Sequence, residues 1–339
     1  MDRVAVVILN YNGVEMLRRF LPSVIEYTKG ARVIVADNAS TDTSLAVLAA
    51  EFPSVEVIAL DENFGFAGGY NKALDKIDAE YFMLLNSDVE VTENWLQPLL
   101  RFMDSHPSAA ACQPKLLSYN DKQMFEYAGA SGGFIDKYGY PFCRGRIFDT
   151  VEKDCGQYDD CARLFWATGA ALMVRSSAYR SAGGLDEKFF AHMEEIDLCW
   201  RMVARGGEIY AVPQSKVYHV GGATLAKSNP RKTYLNFRNN LLMLYKNLPA
   251  GSLCRIMTVR AVLDYVAAFK FLLSGEWGNF KAVLRARCHY RKMKKEYKSV
   301  RAANLSLAKN PAPHGMTEYS ILWRYYARGN KCFSEIPVK

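Results

Sequence analysis

The sequence predicts an α/β fold with a mostly parallel central sheet, and three observations carry that reading. Short apolar runs recur through the first part of the chain: "VAVVIL" (4–9), "RVIVA" (32–36), "VEVIAL" (55–60) and "YFMLL" (81–85). The stretches between them are each long enough for one helix. The runs are continuously apolar rather than alternating, as expected of strands covered on both faces. In such sheets ligands bind beyond the carboxyl ends of the strands.

Polar residues gather at those ends. The first run exits into Asn10, Tyr11, Asn12 and Gly13, the second into "DNASTD" from Asp37, the third into "DENFGFAGGYN" (61–71), and the fourth into Asn86, Ser87 and Asp88. One such exit is only a turn, and Thr41 or Asp42 also suits a helix cap. Four in succession, with a lone carboxylate after the most apolar run, mark a binding edge. A dinucleotide fold places G-x-G-x-x-G directly after its first strand, whereas Gly65, Gly68 and Gly69 follow the third. The pattern fits a nucleotide pocket in which Tyr11 stacks on a base and Asp37 accepts from a base N–H. Small residues at Gly68 and Gly69 let a helix start approach closely.

Further along, "FEYAGASGGFIDKYGYPFCRGR" (125–146) is rich in glycine and aromatics without a sustained period, and reads either as a loop over an acceptor or as a surface excursion. "LFWATGAALMVR" (164–175) reads as another buried strand, with Trp166 as core first and substrate wall second. In "FFAHMEEIDLCWRMVARGG", Ile196, Leu198, Met202 and Val203 predict a helix from about Glu194 to a left-handed cap at Gly206 and Gly207. Its first turn holds Glu194, Glu195 and Asp197. Carboxylates there suit the helix dipole, but capping needs fewer than three.

Composition limits the rest. The chain of 339 residues is 50% hydrophobic, enough for a sizeable core. Its eight cysteines form no C-x-x-C pair, so neither a zinc cluster nor a disulfide framework is expected. The opening residues reach Asn10 too soon for a secretory signal, and no segment offers about twenty uninterrupted apolar residues; a cytoplasmic protein is expected. The net charge of +8 conceals a split. Residues 1–230 carry 22 Lys and Arg against 30 Asp and Glu, and residues 231–339 carry 21 against 5. That asymmetry divides the chain into residues 1–230, with a nucleotide half (1–105) and an acceptor half (106–230), and a basic helical extension (231–339). The extension mixes Leu, Phe, Val and Trp with Arg and Lys, while Asp264 and Lys270 interrupt its apolar run, so it is expected to lie on an anionic membrane surface rather than cross it. No nucleic-acid motif accompanies the charge. A helical homodimer with a solvated basic face is the alternative.

"VVILNYNG", "VADNASTDTS", "NFGFAGGYN", "LLNSDVEV", "GGLDEKFFAHMEEIDLCWR" and "VYHVGG" together resemble, in order, the motifs of the family 2 glycosyltransferases, in their rhamnosyltransferase-like branch. The resemblance implies a GT-A fold, a nucleotide-sugar donor, Mn²⁺ or Mg²⁺, and inversion at the anomeric carbon. It implies nucleotide contacts from Leu9, Asn10, Tyr11 and Asp37, from Asn63, Gly68, Gly69 and Asn71, and from Asn86 and Ser87. Asp88 stands where the family's D-x-D motif places a metal carboxylate. Asn86 replaces the first aspartate of that motif, so the metal leans on the bound diphosphate and on a second protein ligand, for which the resemblance implies His219, with Gly221 and Gly222 allowing close approach. Glu195 stands where the family has its catalytic base, with Glu194 and Asp197 as capping or orienting groups. A peripheral enzyme on the cytoplasmic face of the membrane is therefore expected, moving a sugar from a UDP- or dTDP-sugar to a glycan or lipid-linked glycan in cell-surface polysaccharide synthesis. A catalytically silent sugar-nucleotide or glycan-binding module is the alternative, and neutral Asn86 is its support.

Overall fold

The computed structural model describes residues 2–221, 229–310 and 313–337. Three βα units come first: β1 (Asp2–Asn10) and α1 (Val14–Tyr27), β2 (Arg32–Asp37) and α2 (Ser44–Glu51), β3 (Glu56–Ala59) and α3 (Gly65–Leu74). Then follow β4 (Ala79–Asn86), β5 (Val89–Val91), α4 (Leu96–Ser105) and β6 (Ala109–Ser118). β4, β1, β2 and β3 lie side by side and parallel. Asn10 pairs in register with Asp37, and Leu9 with Asn86. The register thus brings the polar exits into one row. β3 departs from the expectation of strands covered on both faces: it is a short edge strand with Val57 exposed, and among the described residues no strand pairs beyond it.

Four short strands, β7 (Gly133–Asp136), β8 (Pro141–Cys143), β9 (Arg146–Ile147) and β10 (Thr150–Val151), form a second sheet. The 125–146 stretch is therefore not a surface excursion: from Gly133 onward it is strands joined by turns. Phe125, Phe134, Ile135 and Phe142 are buried there. The 164–175 run is two strands rather than one: β11 (Ala162–Leu164) ends at Leu164, and β12 (Ala171–Arg175) begins after a turn at Thr168–Gly169. β12 runs antiparallel between β4 and β6, so its start faces the end of β4, and Asn86 N donates to Ala170 O at 3.0 Å. Trp166 belongs to the core between the sheets. Its indole N–H donates to Phe134 O at 2.9 Å, and its ring lies where a Cβ at position 133 would stand, which makes Gly133 obligatory.

The chain continues through α5 (Ser176–Ala182), α6 (Glu194–Ala204) and β13 (Glu208–His219), which pairs with β5, β6 and β11. β1, β2, β3, β4, β6 and β13 run in one direction, giving an α/β fold with a mostly parallel central sheet. α6 begins at Glu194 and gives way to left-handed Gly206, as its periodicity predicts.

The C-terminal helices are α7 (Pro230–Asn247), α8 (Ala250–Leu273), α9 (Trp277–Met293) and α10 (Lys298–Leu307). Asn229 Oδ1 accepts from Arg231 N at 2.8 Å and caps α7, with Pro230 in the first turn, where its missing N–H costs no bond. A final strand, β14 (Met316–Thr317), adds to β7 in the second sheet. Asp264 is buried against Arg260 (3.1 Å) and Arg287 (2.5 Å). The charge that interrupts the apolar run of α8 therefore faces inward, and Val262, Val266, Phe269 and Leu273 face out. Among the described residues no helix is long and apolar enough to cross a membrane.

Candidate active site

Side-chain amides stitch the first three strand exits together. Asn10 Nδ2 donates to Asp37 Oδ2 at 2.8 Å and to Ser40 Oγ at 3.2 Å, and Ser40 N donates to Asp37 Oδ1 at 2.8 Å. Asn12 Oδ1 accepts from Thr41 N at 2.7 Å. Asn38 Nδ2 donates to Asn63 Oδ1 (3.1 Å) and to Gly65 O (3.0 Å). The result is a rigid rim with open polar capacity. Asn10 Oδ1 is buried without a partner, and a Cβ at position 13 would stand 2.5 Å from it, so only glycine leaves that atom room. Tyr11 projects above the rim, 48% exposed, and Ser87 borders Gly13.

Gly68 and Gly69 serve packing. A Cβ at position 69 would stand 2.8 Å from Leu9 Cδ1 and 3.0 Å from Asn38 Nδ2, and one at position 68 would stand 2.9 Å from Phe64 Cβ. The glycines therefore let α3 settle against β1. Asn71 lies apart from the rim, a correction to the nucleotide role expected of it. One helical turn further on, its amide donates to Leu185 O and Glu187, while its carbonyl accepts from Tyr179 Oη (2.6 Å) and Leu185 N (3.0 Å), which occupies all its polar capacity.

Asp88 and His219 meet. β13 ends beside β5, and His219 Nε2 lies 3.1 Å from Asp88 Oδ1, with Asn86 Nδ2 at 3.4 Å. On the other side of the ring, Nδ1 lies 3.4 Å from Glu126 Oε1, an ion-pair distance without hydrogen-bond alignment. Burial opposes charge on this imidazole, but the two carboxylates overcome it and raise its pKa to about 10. Burial pushes Asp88 upward while the His219 hydrogen bond pulls it further down, below the usual carboxylate range. Glu126 has no motif around it and was not singled out from sequence; the signal is only that it opens the glycine-rich stretch. Gly221 has no Cβ to meet Glu126 Oε1, which would stand 2.8 Å away, while Gly222 lies outside the described residues.

As a metal site the pair is sparse. Two protein donors converge, and among the described residues no group of three or more His, Cys, Asp or Glu side chains is arranged to hold an ion. Asp88 and His219 fit a divalent cation that shares its shell with ligand oxygens, and fit poorly one held by protein alone.

The three carboxylates of α6 divide. Asp197 is wholly buried and fully engaged, by Arg201 (2.9 Å) and Lys246 (2.8 Å) at Oδ2 and Asn247 (2.8 Å) at Oδ1. That environment fits an orienting group, and its complete burial keeps the carboxylate out of reach of substrate. Glu194 is buried and Glu195 half-buried, each with an Oε2 that has no partner. Burial raises both, and Glu195 reaches about 7. Glu195 Cβ lies 3.7 Å and Phe66 Cζ 3.3 Å from where a Cβ at position 169 would stand. Since Gly169 precedes the Ala170 carbonyl that holds Asn86, Glu195 and Asp88 flank the same strand-end region.

The loop leading into α6 is held in an unusual backbone. Phe190, His192 and Met193 have φ of 67°, 70° and 72°. Asn239 on α7 fixes it by donating Nδ2 to the carbonyls of Phe189 (2.9 Å), Ala191 (2.9 Å) and His192 (2.8 Å). Phe190 O in turn accepts from Phe66 N (2.8 Å) and Ala67 N (3.2 Å), in the first turn of α3.

Residues 5–147 match the family model described as glycosyl transferase family 2. These residues form a family 2 glycosyltransferase domain. Curated relatives of this glycosyltransferase include the N-acetylglucosaminyl-diphospho-decaprenol L-rhamnosyltransferase of Mycobacterium tuberculosis, 27% identical over 235 residues that cover 64% of this chain and 76% of the relative. Rhamnosyltransferase WbbL of Escherichia coli is 21% identical over 64% of this chain and 83% of its own length. The fold is that of solved GT-A enzymes. Mannosyltransferase PcManGT from Pyrobaculum calidifontis, in complex with GDP-Man and Mn²⁺, superposes with a TM-score of 0.52 at 14% identity, over 91% of this chain and 81% of that one. GalNAc-T7 with UDP, GalNAc and Mn²⁺ does so with a TM-score of 0.57 at 17% identity, over 74% and 49%.

Proposed function

We propose that this glycosyltransferase is an inverting, divalent-metal-dependent enzyme. On this reading it moves a sugar from a UDP- or dTDP-sugar to a hydroxyl of a lipid-linked glycan in cell-surface polysaccharide synthesis. The observation that carries the reading is the half-buried Glu195, a carboxylate with a raised pKa and an unpartnered oxygen, at the strand-end region that also holds the Asp88–His219 pair. A base near its operating pH can take the proton of an acceptor hydroxyl as that oxygen attacks the anomeric carbon. Asn10, Tyr11 and Asp37 hold the base and ribose end of the donor, and Asp88 with His219 hold a Mn²⁺ or Mg²⁺ together with its diphosphate. When bound, that ion neutralises the charge developing on the leaving diphosphate. Solved neighbours with Mn²⁺ and the relatives' acceptor chemistry support this assignment.

The basic extension is proposed to rest on an anionic bilayer at the cytoplasmic face. Val262, Val266, Phe269 and Leu273 form an outward stripe on α8, continued by Trp277, within a region carrying 21 cations against 5 anions. Flotation with phosphatidylglycerol vesicles tests this contact. The reaction is tested by incubating the protein with UDP-, GDP- and dTDP-sugars plus Mn²⁺ and measuring release of nucleoside diphosphate. Chelator-sensitive release from one donor is expected; no release from any, with or without lipid-linked acceptors, favours a silent binding module.

A further inference from the structure

We propose that the cleft between α7 and α9 binds the diphosphate of a polyprenyl-diphosphate-linked acceptor. The proposal rests on the reading of a lipid-linked acceptor and gives that acceptor's head a place.

The cleft, of about 560 Å³, is lined by Arg231 and Arg238 from α7 and by Lys281 and Arg285 from α9. No carboxylate lines it among the described residues. Arg231 and Arg285 lie over the rings of Phe190 (5.1 Å) and Tyr234 (5.2 Å) rather than against an acid. The crowding is felt by His289, which hydrogen-bonds Tyr234; burial, and then Arg285, Lys292 and Arg238, hold its imidazole below its ordinary pKa. Cations gathered without a counter-charge repel one another, and an anion with several oxygens relieves them.

Position selects which anion. The cleft includes Gly278, the residue after Trp277, which is 60% exposed and adjoins the apolar stripe of α8 that ends at Leu273, 72% exposed. It also includes Phe190, whose carbonyl holds the start of α3 and which leads into the helix of Glu195. A ligand that meets both neighbours has an apolar tail for the bilayer, a polyanionic head for the cleft's cations, and a sugar on the side of Phe190. The donor's own diphosphate belongs to Asp88 and His219, so the enzyme would handle two diphosphates at separate places.

Calorimetric titration of the full chain with farnesyl diphosphate tests this, with farnesyl monophosphate and inorganic pyrophosphate as comparisons. The wild type is expected to prefer farnesyl diphosphate to both. Lys281→Ala/Arg285→Ala, two exposed positions, is expected to weaken that binding about tenfold or more and to raise acceptor KM more than donor KM. Lys294→Ala/Lys295→Ala, equally basic but outside the cleft, is expected to bind as the wild type does. The proposal is overturned if the cleft variant keeps its affinity or if the wild type shows no preference for the lipid diphosphate. It is also overturned if the cleft variant loses only flotation on phosphatidylglycerol vesicles, which would assign the charge to bilayer lipid. Absence of nucleoside diphosphate release from every donor would instead overturn the reaction reading, and the titration would still decide the cleft.

Discussion

Lys246 of α7 places its ammonium 2.8 Å from Asp197 of α6, so two buried charges join the C-terminal helices to the helix that carries Glu195. Asp186 meets the same ammonium at 2.5 Å. Burial works against the Asp197 carboxylate, but Lys246 and Arg201 hold it below its ordinary pKa. Removing the lysine leaves buried carboxylate charge short of a partner. Lys246→Met is therefore expected to cost about 3–5 kcal/mol, read from urea unfolding at neutral pH. A midpoint within error of wild type would mean that this pair does not lock the helices.

Asn239 fixes the backbone that aims α6. Asn239→Ala orphans the carbonyls of Phe189, Ala191 and His192, and a misplaced base costs rate steeply, on the order of 10²-fold for about an ångström. The expected result is a fall in kcat of that order with nucleotide binding little changed, since Asn10, Asp37 and Asn38 lie elsewhere. A folded variant that loses nucleotide affinity and keeps kcat would contradict this positioning role.

Much of the nucleotide half was legible because parallel strands announce themselves: runs such as "VAVVIL" are buried on both faces, and their exits fall in one row once the register pairs Asn10 with Asp37. The turn at Thr168–Gly169 was not legible, since apolar residues continue across it and only the pairing partners of β11 and β12 separate the two strands. Asn71 and Asn63 look alike in "NFGFAGGYN", yet helical phase turns Asn71 toward Leu185 and leaves Asn63 beside Asn38. Glu126 and Asn239 act through contacts with residues 93 and about 50 positions away, and no local pattern encodes such a partner.

Asp88→Ala is expected to abolish turnover without unfolding the protein, because Asp88 stands past the end of β4 rather than within it. Its loss should also remove the stabilisation that Mn²⁺ and a nucleoside diphosphate confer together, roughly 2.7 kcal/mol at a hundredfold excess over Kd. His219→Ala should weaken the response less. Glu126→Gln, which alters only the group behind the imidazole, should weaken it least. Thermal unfolding with and without Mn²⁺ and UDP measures all three, and an unchanged response in Asp88→Ala would remove this aspartate from the metal.

Glu195→Gln keeps the shape of the side chain and removes its basicity. General-base catalysis contributes typically about 10²–10⁴ in rate, so kcat should fall by about that factor while donor affinity stays close to wild type. The wild-type rate should rise with pH through about 7, where the Glu195 carboxyl ionises, and the variant should lack that limb. Stability carries the opposite sign. Burial raises the folded pKa above the unfolded value, so the protonated form favours folding; that contribution is whole below the unfolded pKa and is lost as pH rises through about 7. Glu195→Gln should therefore unfold later than wild type at pH above this range and show no such gain in acid. Glu194→Gln, measured beside it, should share the stability gain, because burial raises that carboxyl too, but should keep more of the rate. If Glu194→Gln is the dead variant and Glu195→Gln turns over normally, the base moves one residue along α6. If both variants remain active across the pH range, neither carboxylate takes the proton.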